Sequence, residues 1–587
     1  MIPFGGALLR GASRPPSIVP KKWRDLTAGV LLIAVAASFF LYEVARALRV
    51  ALTYDEATTY FTYVRGGLLS IFNFDSANNH FLNSFLSKVF SFVGGNSPFV
   101  LRLPNLLGYA LFLAFSYLIL RKFGGRTFAL AGLLALNLNA YLLDFFSLSR
   151  GYGLSLALLM PALFFFLTFA EKVVRGDPDC LQELWLSLGA AAAAVLANMT
   201  LMPFFLSLVL IGLALLVSAN ANHPGFFGAC AHRKFSPARR RTAAAGLIIG
   251  VILFNVLVAV KEPLLGTERH PIRDILRTDA LSLGAFAVAA LIAAAIGREL
   301  ARRRLINVDQ FRPLAVATLT LGGLLVLPFY LLKSKDEFYW GGKAGLIHDA
   351  FNSLINGSTY GDVYLGKGHP ALLVAAGLFL AGFFVLALVH FRKKSLTSVL
   401  PAGAILAVLA LTILALRIEK TLFQTPSLMG RTALYFIPLA VLFIAFTLHS
   451  LAAVHPAAKI AAAMLGIAVL SVLAVIFAQK ANTGMALEWR CDADSARLVQ
   501  DLRTLKDQRL PDRPRLKLGA DLELLPVLRY YIAENGLAWL DVAKTATRFE
   551  NDFYYFRGES VPSRMILIGN YPRSGNILVR AKDPVRD

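Results

Sequence analysis

Long apolar runs set the first limit on what this chain can fold into. Between Leu26 and Ala478 the apolar residues gather in repeated stretches of roughly 18–24, each long enough to cross a hydrocarbon core. The expected fold class is therefore an α-helical polytopic membrane protein. Composition agrees, with 57% hydrophobic and 16% charged residues in a chain of 587. A soluble chain of this length would split into several domains and carry about a quarter charged residues.

The formal net charge of +23 would by itself suggest a nucleic-acid partner. Its location argues against one. Lys and Arg cluster between apolar runs, in "PKKWRD", "RKFGGR", "HRKFSPARRR", "GRELARRR" and "FRKK". That is the positive-inside pattern of cytoplasmic loops. The N-terminal segment, residues 1–25, is expected inside and reads as the flank of an uncleaved signal anchor, because no small-residue cleavage site follows a short apolar core. Cys180, Cys230 and Cys491 lie in separate loops without metal-ligand spacing.

Hydropathy places spans near Leu26–Leu48, Phe99–Leu120, Thr127–Phe146 and Gly151–Ala170. The run Leu184–Ser218 divides into a hairpin at "LANMTLMP", which offers a polar break and a proline. Further spans lie near Ala243–Val260, Ala280–Ile296, Leu314–Leu332, Ala371–Phe391, Ser398–Leu416, Thr432–Leu448 and Ala457–Ala478. The total is about thirteen, and an odd number puts every strongly basic loop inside. The membrane domain is residues 26–479. Its large outer loops are expected at 49–98 and 333–369, and a small α/β domain at 480–587, where apolar runs such as "RMILIGNY" alternate with helix-like ones such as "LLPVLRYYIAEN".

Three features of the outer side point to chemistry. The first is the acid pair Asp55 and Glu56, just beyond the first span in "TYDEATTYFTYVRGGLLSIF", a stretch with the spacing of an interfacial amphipathic helix. The pair is either a solvated helix start or a base at head-group depth that takes a proton from a nucleophile. The second is Asn78, Asn79 and His80 in "NNHFLNSFLSKVFSFVGG": helix caps and a surface imidazole, or donors that orient a sugar or phosphate. The third is outward arginine at span ends, namely Arg102, Arg150 and Arg431. Snorkelling explains one or two. Several facing the bundle would make an anion site, since guanidinium binds phosphate bidentately and stays charged. Tyr339 and Trp340 in "FYWGGKAGLIHDAFNSLI" are stacking surfaces or part of an aromatic belt. The chain has no GxGxxG after a strand, no Walker glycine loop and no HExxH.

With these residues in hand, the chain resembles the GT-C superfamily of integral-membrane glycosyltransferases. It is most similar to the bacterial branch related to protein O-mannosyltransferases and the lipid A aminoarabinose transferase. The likeness runs from about Thr27 to Ala478 and rests on "YDEATTY", "NNHFLNS", "LRLPNLLG", "SRGYGLSL", "YWGGKAG" and "GRTALYFIP", in that order. The resemblance implies an inverting transfer at the periplasmic face of a bacterial inner membrane, from a sugar on a polyprenyl phosphate to a lipid, glycan or protein acceptor. By the same resemblance Asp55 is the general base and Glu56 shapes the acceptor site. Asn79, His80, Arg102, Arg150, Tyr152, Tyr339, Lys343 and Arg431 are candidate substrate-binding residues, Arg431 foremost for the phosphate. No metal ligands are assigned, and the need for a divalent cation stays open. A transporter or flippase of a lipid-linked glycan is the alternative. It should place charge near the bilayer midplane, where only Glu43 and Arg46 approach that pattern.

Overall fold

A computed structural model describes residues 21–222, 226, 246–258, 272–338, 341–361, 369–393, 395–544, 551–558 and 560–581. It is a helical membrane protein with a small C-terminal sheet domain. Helix α1 is Lys21–Arg49, followed in the loop after it by α2 (Tyr54–Thr59) and α3 (Phe81–Gly94). The bundle continues with α4 (Pro98–Gly124), α5 (Arg126–Asn137), α6 (Ala140–Asp144), α7 (Gly151–Val174), α8 (Leu181–Ala197) and α9 (Met202–Asn222). Then come α10 (Gly246–Val258), α11 (Ile272–Arg302), α12 (Val308–Ser334), the short α13 (Asn352–Ser358), α14 (His369–Arg392), α15 (Leu400–Phe423), α16 (Phe436–Ala452) and α17 (Pro456–Lys480). Among the described residues, eight helices are long and apolar enough to cross a membrane; α3, α8, α10 and α16 are apolar but shorter.

Burial sorts these helices. The most apolar window of α7 is 83% buried, whereas that of α17 is 6% buried, so α7 forms the middle of the bundle and α17 faces lipid. Around α7 pack α4, α8 and α9, with Phe112, Leu163, Phe166 and Leu188 fully buried. Close approach of α4 to α7 depends on Gly108, where an added Cβ would lie 3.2 Å from that of Ala157.

The hairpin expected at "LANMTLMP" is present. Asn198 ends α8 and its side chain accepts the N–H of Thr200, and a 3₁₀ turn at Met199–Leu201 leads into α9. The expected span Thr127–Phe146 is not one helix. It stops at Asn137, whose amide donates to Leu133 O and whose Oδ1 accepts from Tyr109, and Asn139 caps α6 in its place. Polar side chains that satisfy backbone groups inside the bundle make such a break affordable. The first loop is also more broken than its periodicity suggested. After α2 come a π turn at Tyr60–Val64 and a 3₁₀ turn at Leu68–Phe72, and Tyr60 and Tyr63 are buried in protein.

Helix α3 is inside out. It buries Asn83, Ser84 and Ser87 and exposes Phe85, Val89, Phe92 and Val93, the arrangement of a helix lying in a membrane interface.

The C-terminal domain contains α18 (Ser495–Arg509), β1 (Leu516–Ala520), α19 (Leu525–Glu534), β2 (Leu540–Lys544), β3 (Phe553–Arg557), β4 (Met565–Tyr571) and β5 (Asn576–Ala581). The sheet order is β2-β1-β3-β5-β4; β1 runs parallel to β2 and β3, and β5 antiparallel to β3 and β4. Leu498, Leu502, Leu518 and Leu528 are fully buried in its own core. Helix α19 docks the domain on the first loop. Leu52 N–H donates to Tyr531 Oη at 2.8 Å, Tyr530 donates to Asn96 O at 2.6 Å, and the Tyr60 and Tyr530 rings meet edge-on at 5.2 Å.

Candidate active site

The sequence "TYDE" forms a capping box at the start of α2. Thr53 Oγ1 accepts the N–H of Glu56, and Glu56 Oε2 accepts the N–H of Thr53 at 2.9 Å. This fixes Glu56 inward. Its Oε1 also accepts Arg102 Nε at 2.8 Å and Ser149 N–H at 2.6 Å, and Oε2 accepts Arg102 Nη2 at 2.7 Å. Arg102 gives its remaining N–H groups to Ala47, Val50 and Ala51 carbonyls, and both side chains are fully buried. A guanidinium has five N–H donors. All five are engaged, so Arg102 as folded has none left for a phosphate.

Asp55, one residue earlier, faces the other way. Its Oδ2 lies 3.5 Å from Arg150 Nη2 and 3.4 Å from Arg431 Nη2, and makes no hydrogen bond among the described residues. The Asp55 side chain keeps 11% of its surface exposed and that of Arg431 15%, against 3% for Arg150. The structure thus brings together Asp55, Arg150 and Arg431, with Asp55 and Arg431 still partly exposed.

Arg150 is set by its neighbours. Its Nη1 donates to Thr59 Oγ1 at 3.0 Å and Asn78 O at 3.3 Å, and its Nη2 to His80 Nε2 at 3.1 Å. His80 Nδ1–H in turn donates to Ala197 O at 3.1 Å. Burial, and then the adjacent Arg150 charge, holds the His80 imidazole well below its ordinary pKa, as a neutral ring accepting from Arg150 requires. Only glycine fits at 151, where a Cβ would sit 1.9 Å from Ala197 O and 2.6 Å from His80. The Tyr152 ring stacks edge-on to His80 at 4.7 Å and lies 5.9 Å from Arg150 Cζ.

Arg431 sits on a 3₁₀ turn, Gly430–Ala433, and its Nη1 donates to Glu488 Oε2 at 2.6 Å. Its guanidinium lies 5.0 Å above the Trp489 ring, and Tyr141 also donates to Glu488. These partners come from "LEWRCD", the six residues that follow the last apolar helix and its short linker. Sequence reasoning did not single them out. Their one signal is an acid pair at i and i+4, Glu488 and Asp492, flanking a tryptophan.

Asn79 serves the loop, its amide donating to Ile71 and Asn73 carbonyls and its oxygen accepting from Ser84. Lys343 is exposed, on a loop that reaches the arginine turn through paired Gly342–Ser427 hydrogen bonds of 2.9 Å. Tyr339 and Trp340 lie outside the described residues. Among the described residues no group of three His, Cys, Asp or Glu has a geometry suited to a metal ion.

A second polar cluster adjoins the site. Arg46 pairs with Asp144 at 2.6 Å and donates to Met485 O at 3.0 Å, while Asp144 accepts from Tyr360 at 3.0 Å and Leu487 N–H at 2.9 Å. These bonds hold the chain immediately before Glu488.

No family model matches this chain, and no curated relative does. Among solved structures it is similar to ArnT from Cupriavidus metallidurans bound to undecaprenyl phosphate, with 13% identity over 96% of this chain and 98% of that one and a TM-score of 0.34. It is also similar to the apo state of the same protein, with 13% identity over 95% and 98% of the two chains and a TM-score of 0.35.

Proposed function

We propose that this protein is a glycosyltransferase that takes a sugar from a polyprenyl-phosphate donor and passes it to an acceptor at the outer face of a bacterial inner membrane. One observation carries the reading: a nearly buried carboxylate, Asp55, with two guanidinium groups within 3.5 Å of one oxygen and part of its side chain still exposed. The acceptor hydroxyl or amine attacks the anomeric carbon and gives its proton to Asp55. The bond from that carbon to the phosphate oxygen breaks with inversion, and its electron pair leaves on the phosphate. Arg431 and Arg150 stabilise the charge that gathers there, the kind of contribution that usually dominates catalysis. Glu56 and Arg102 act behind them by holding α2 and the start of α4 in place, and His80 by aiming Arg150. The sequence likeness to GT-C transferases supports the same assignment of Asp55.

Transport of a lipid-linked glycan is favoured by one feature, the charges buried along α1. Arg46 is bound to Asp144, Ser147 and two backbone carbonyls, however, which suits a fixed brace better than a moving site. Mass spectrometry of envelope glycolipids and glycoproteins from a deletion strain tests the proposal. A sugar missing from one acceptor class, with the lipid-linked donor accumulated on the outer leaflet, is expected. The same loss with the donor held on the inner leaflet would favour transport.

A further inference from the structure

The C-terminal domain reaches the catalytic helix with a carboxylate of its own. Asp492 is 1% exposed, and its Oδ2 accepts the N–H of Tyr54 at 2.7 Å, in the first turn of α2 and one residue before Asp55. Helix N-termini carry N–H groups without intrahelical partners, and a side-chain oxygen that accepts one fixes the first turn. Thr53 and Glu56 cap α2 from within; Asp492 caps it from a segment 438 residues away. We infer that Asp492 is a positioning residue for Asp55, so that docking of the C-terminal domain completes the active site. This rests on the transferase reading given above.

Three acids crowd this spot, and that needs a reason. Burial raises the Asp492 pKa above its ordinary value; the Tyr54 N–H opposes that rise, and the neighbouring Asp55 and Glu56 carboxylates add to it. Its other oxygen, Oδ1, is buried with no hydrogen-bond partner among the described residues. An amide keeps the shape and the oxygen that accepts the Tyr54 N–H, so it separates that contact from the rest of the side chain.

The test compares Asp492→Asn with Asp492→Ala in nanodiscs, using an undecaprenyl-phosphate sugar as donor and hydrogen exchange of the segment around Tyr54 as a readout independent of turnover. Asp492→Ala is expected to lower kcat about tenfold or more with KM for the donor within about twofold, and to speed exchange at Tyr54 by a similar factor, since small misplacements of a base are costly. Asp492→Asn should keep at least about half of kcat and the slow exchange, because its amide oxygen still accepts the Tyr54 N–H. Wild-type kcat and exchange in Asp492→Ala would overturn the inference. So would Asp492→Asn below about a tenth of wild-type kcat, which also decides the matter if the alanine variant does not fold. Absence of sugar transfer by the wild type, with the exchange contrast intact, would instead count against the transferase reading.

Discussion

Two acids stand side by side at positions 55 and 56, and folding gives them opposite surroundings. Glu56 accepts four hydrogen bonds and is sealed against Arg102, whereas Asp55 points one oxygen at two arginines and keeps part of its side chain exposed. Three arginines that look alike in the sequence therefore separate experimentally. Arg102→Ala leaves an uncompensated buried carboxylate and should cost about 3–5 kcal/mol, read as a large fall in the thermal midpoint in detergent. Arg431→Ala deprives the partly exposed Glu488 and Asp55 of a partner, so it should lower that midpoint by less than Arg102→Ala, and it should weaken undecaprenyl phosphate binding about 10- to 100-fold, the value of a charge-assisted hydrogen bond or two. Reversal of these two results would exchange their roles. His80 adds a pH dependence. Its folded pKa is below the ordinary 6.5, so it stays neutral in the fold while the unfolded chain takes up a proton below that pH. Its contribution is complete above about pH 6.5 and fades on acidification, by at most about 1.4 kcal/mol per pH unit. Melting curves between pH 7.5 and 5.5 should show a fall in stability that is shallower in His80→Gln. The sequence made Asp55 and Arg431 legible because both flank apolar runs. It could not reveal that Arg102 lies against Glu56, because the two are 46 residues apart and only the tertiary fold pairs them.

Elements show where periodicity informs and where it misleads. Long apolar windows identified the bundle helices, and the polar break at Asn198 located the α8–α9 hairpin, because lipid leaves the backbone few alternatives to helix. The same reasoning ran α5 and α6 together. Hydropathy averages over Asn137 and Asn139, yet it is their side chains that stop one helix and cap the next. In the first loop, α3 is the element whose place in the bilayer can be checked. Its exposed Phe85, Val89, Phe92 and Val93 should lie among lipid chains just below the head groups. A spin label on a cysteine at position 92, in a background without other cysteines, should be accessible to oxygen and shielded from a water-soluble relaxation agent. The opposite accessibility would mean that α3 stands in water, and that Asp55 does not face the head-group region.

At the scale of the whole molecule, the proposed active site is assembled from distant parts. The acid comes from the loop after α1, one arginine from the start of α7, and the other from the turn before α16. Glu488 and Asp492 then tie both the arginine turn and α2 to the C-terminal domain. That domain's strands and helices could be recognised in the tail from alternating apolar runs, but its docking could not, since tyrosines of α19 read equally well as core residues. The base, by contrast, is a single group with a single expected chemistry, so it carries the account. The direct measurement is transfer from an undecaprenyl-phosphate sugar by purified wild-type and Asp55→Asn proteins in nanodiscs, with donor binding measured alongside. The account predicts release of undecaprenyl phosphate by the wild type, and none above background by Asp55→Asn despite comparable donor affinity. Undiminished turnover by Asp55→Asn would contradict it.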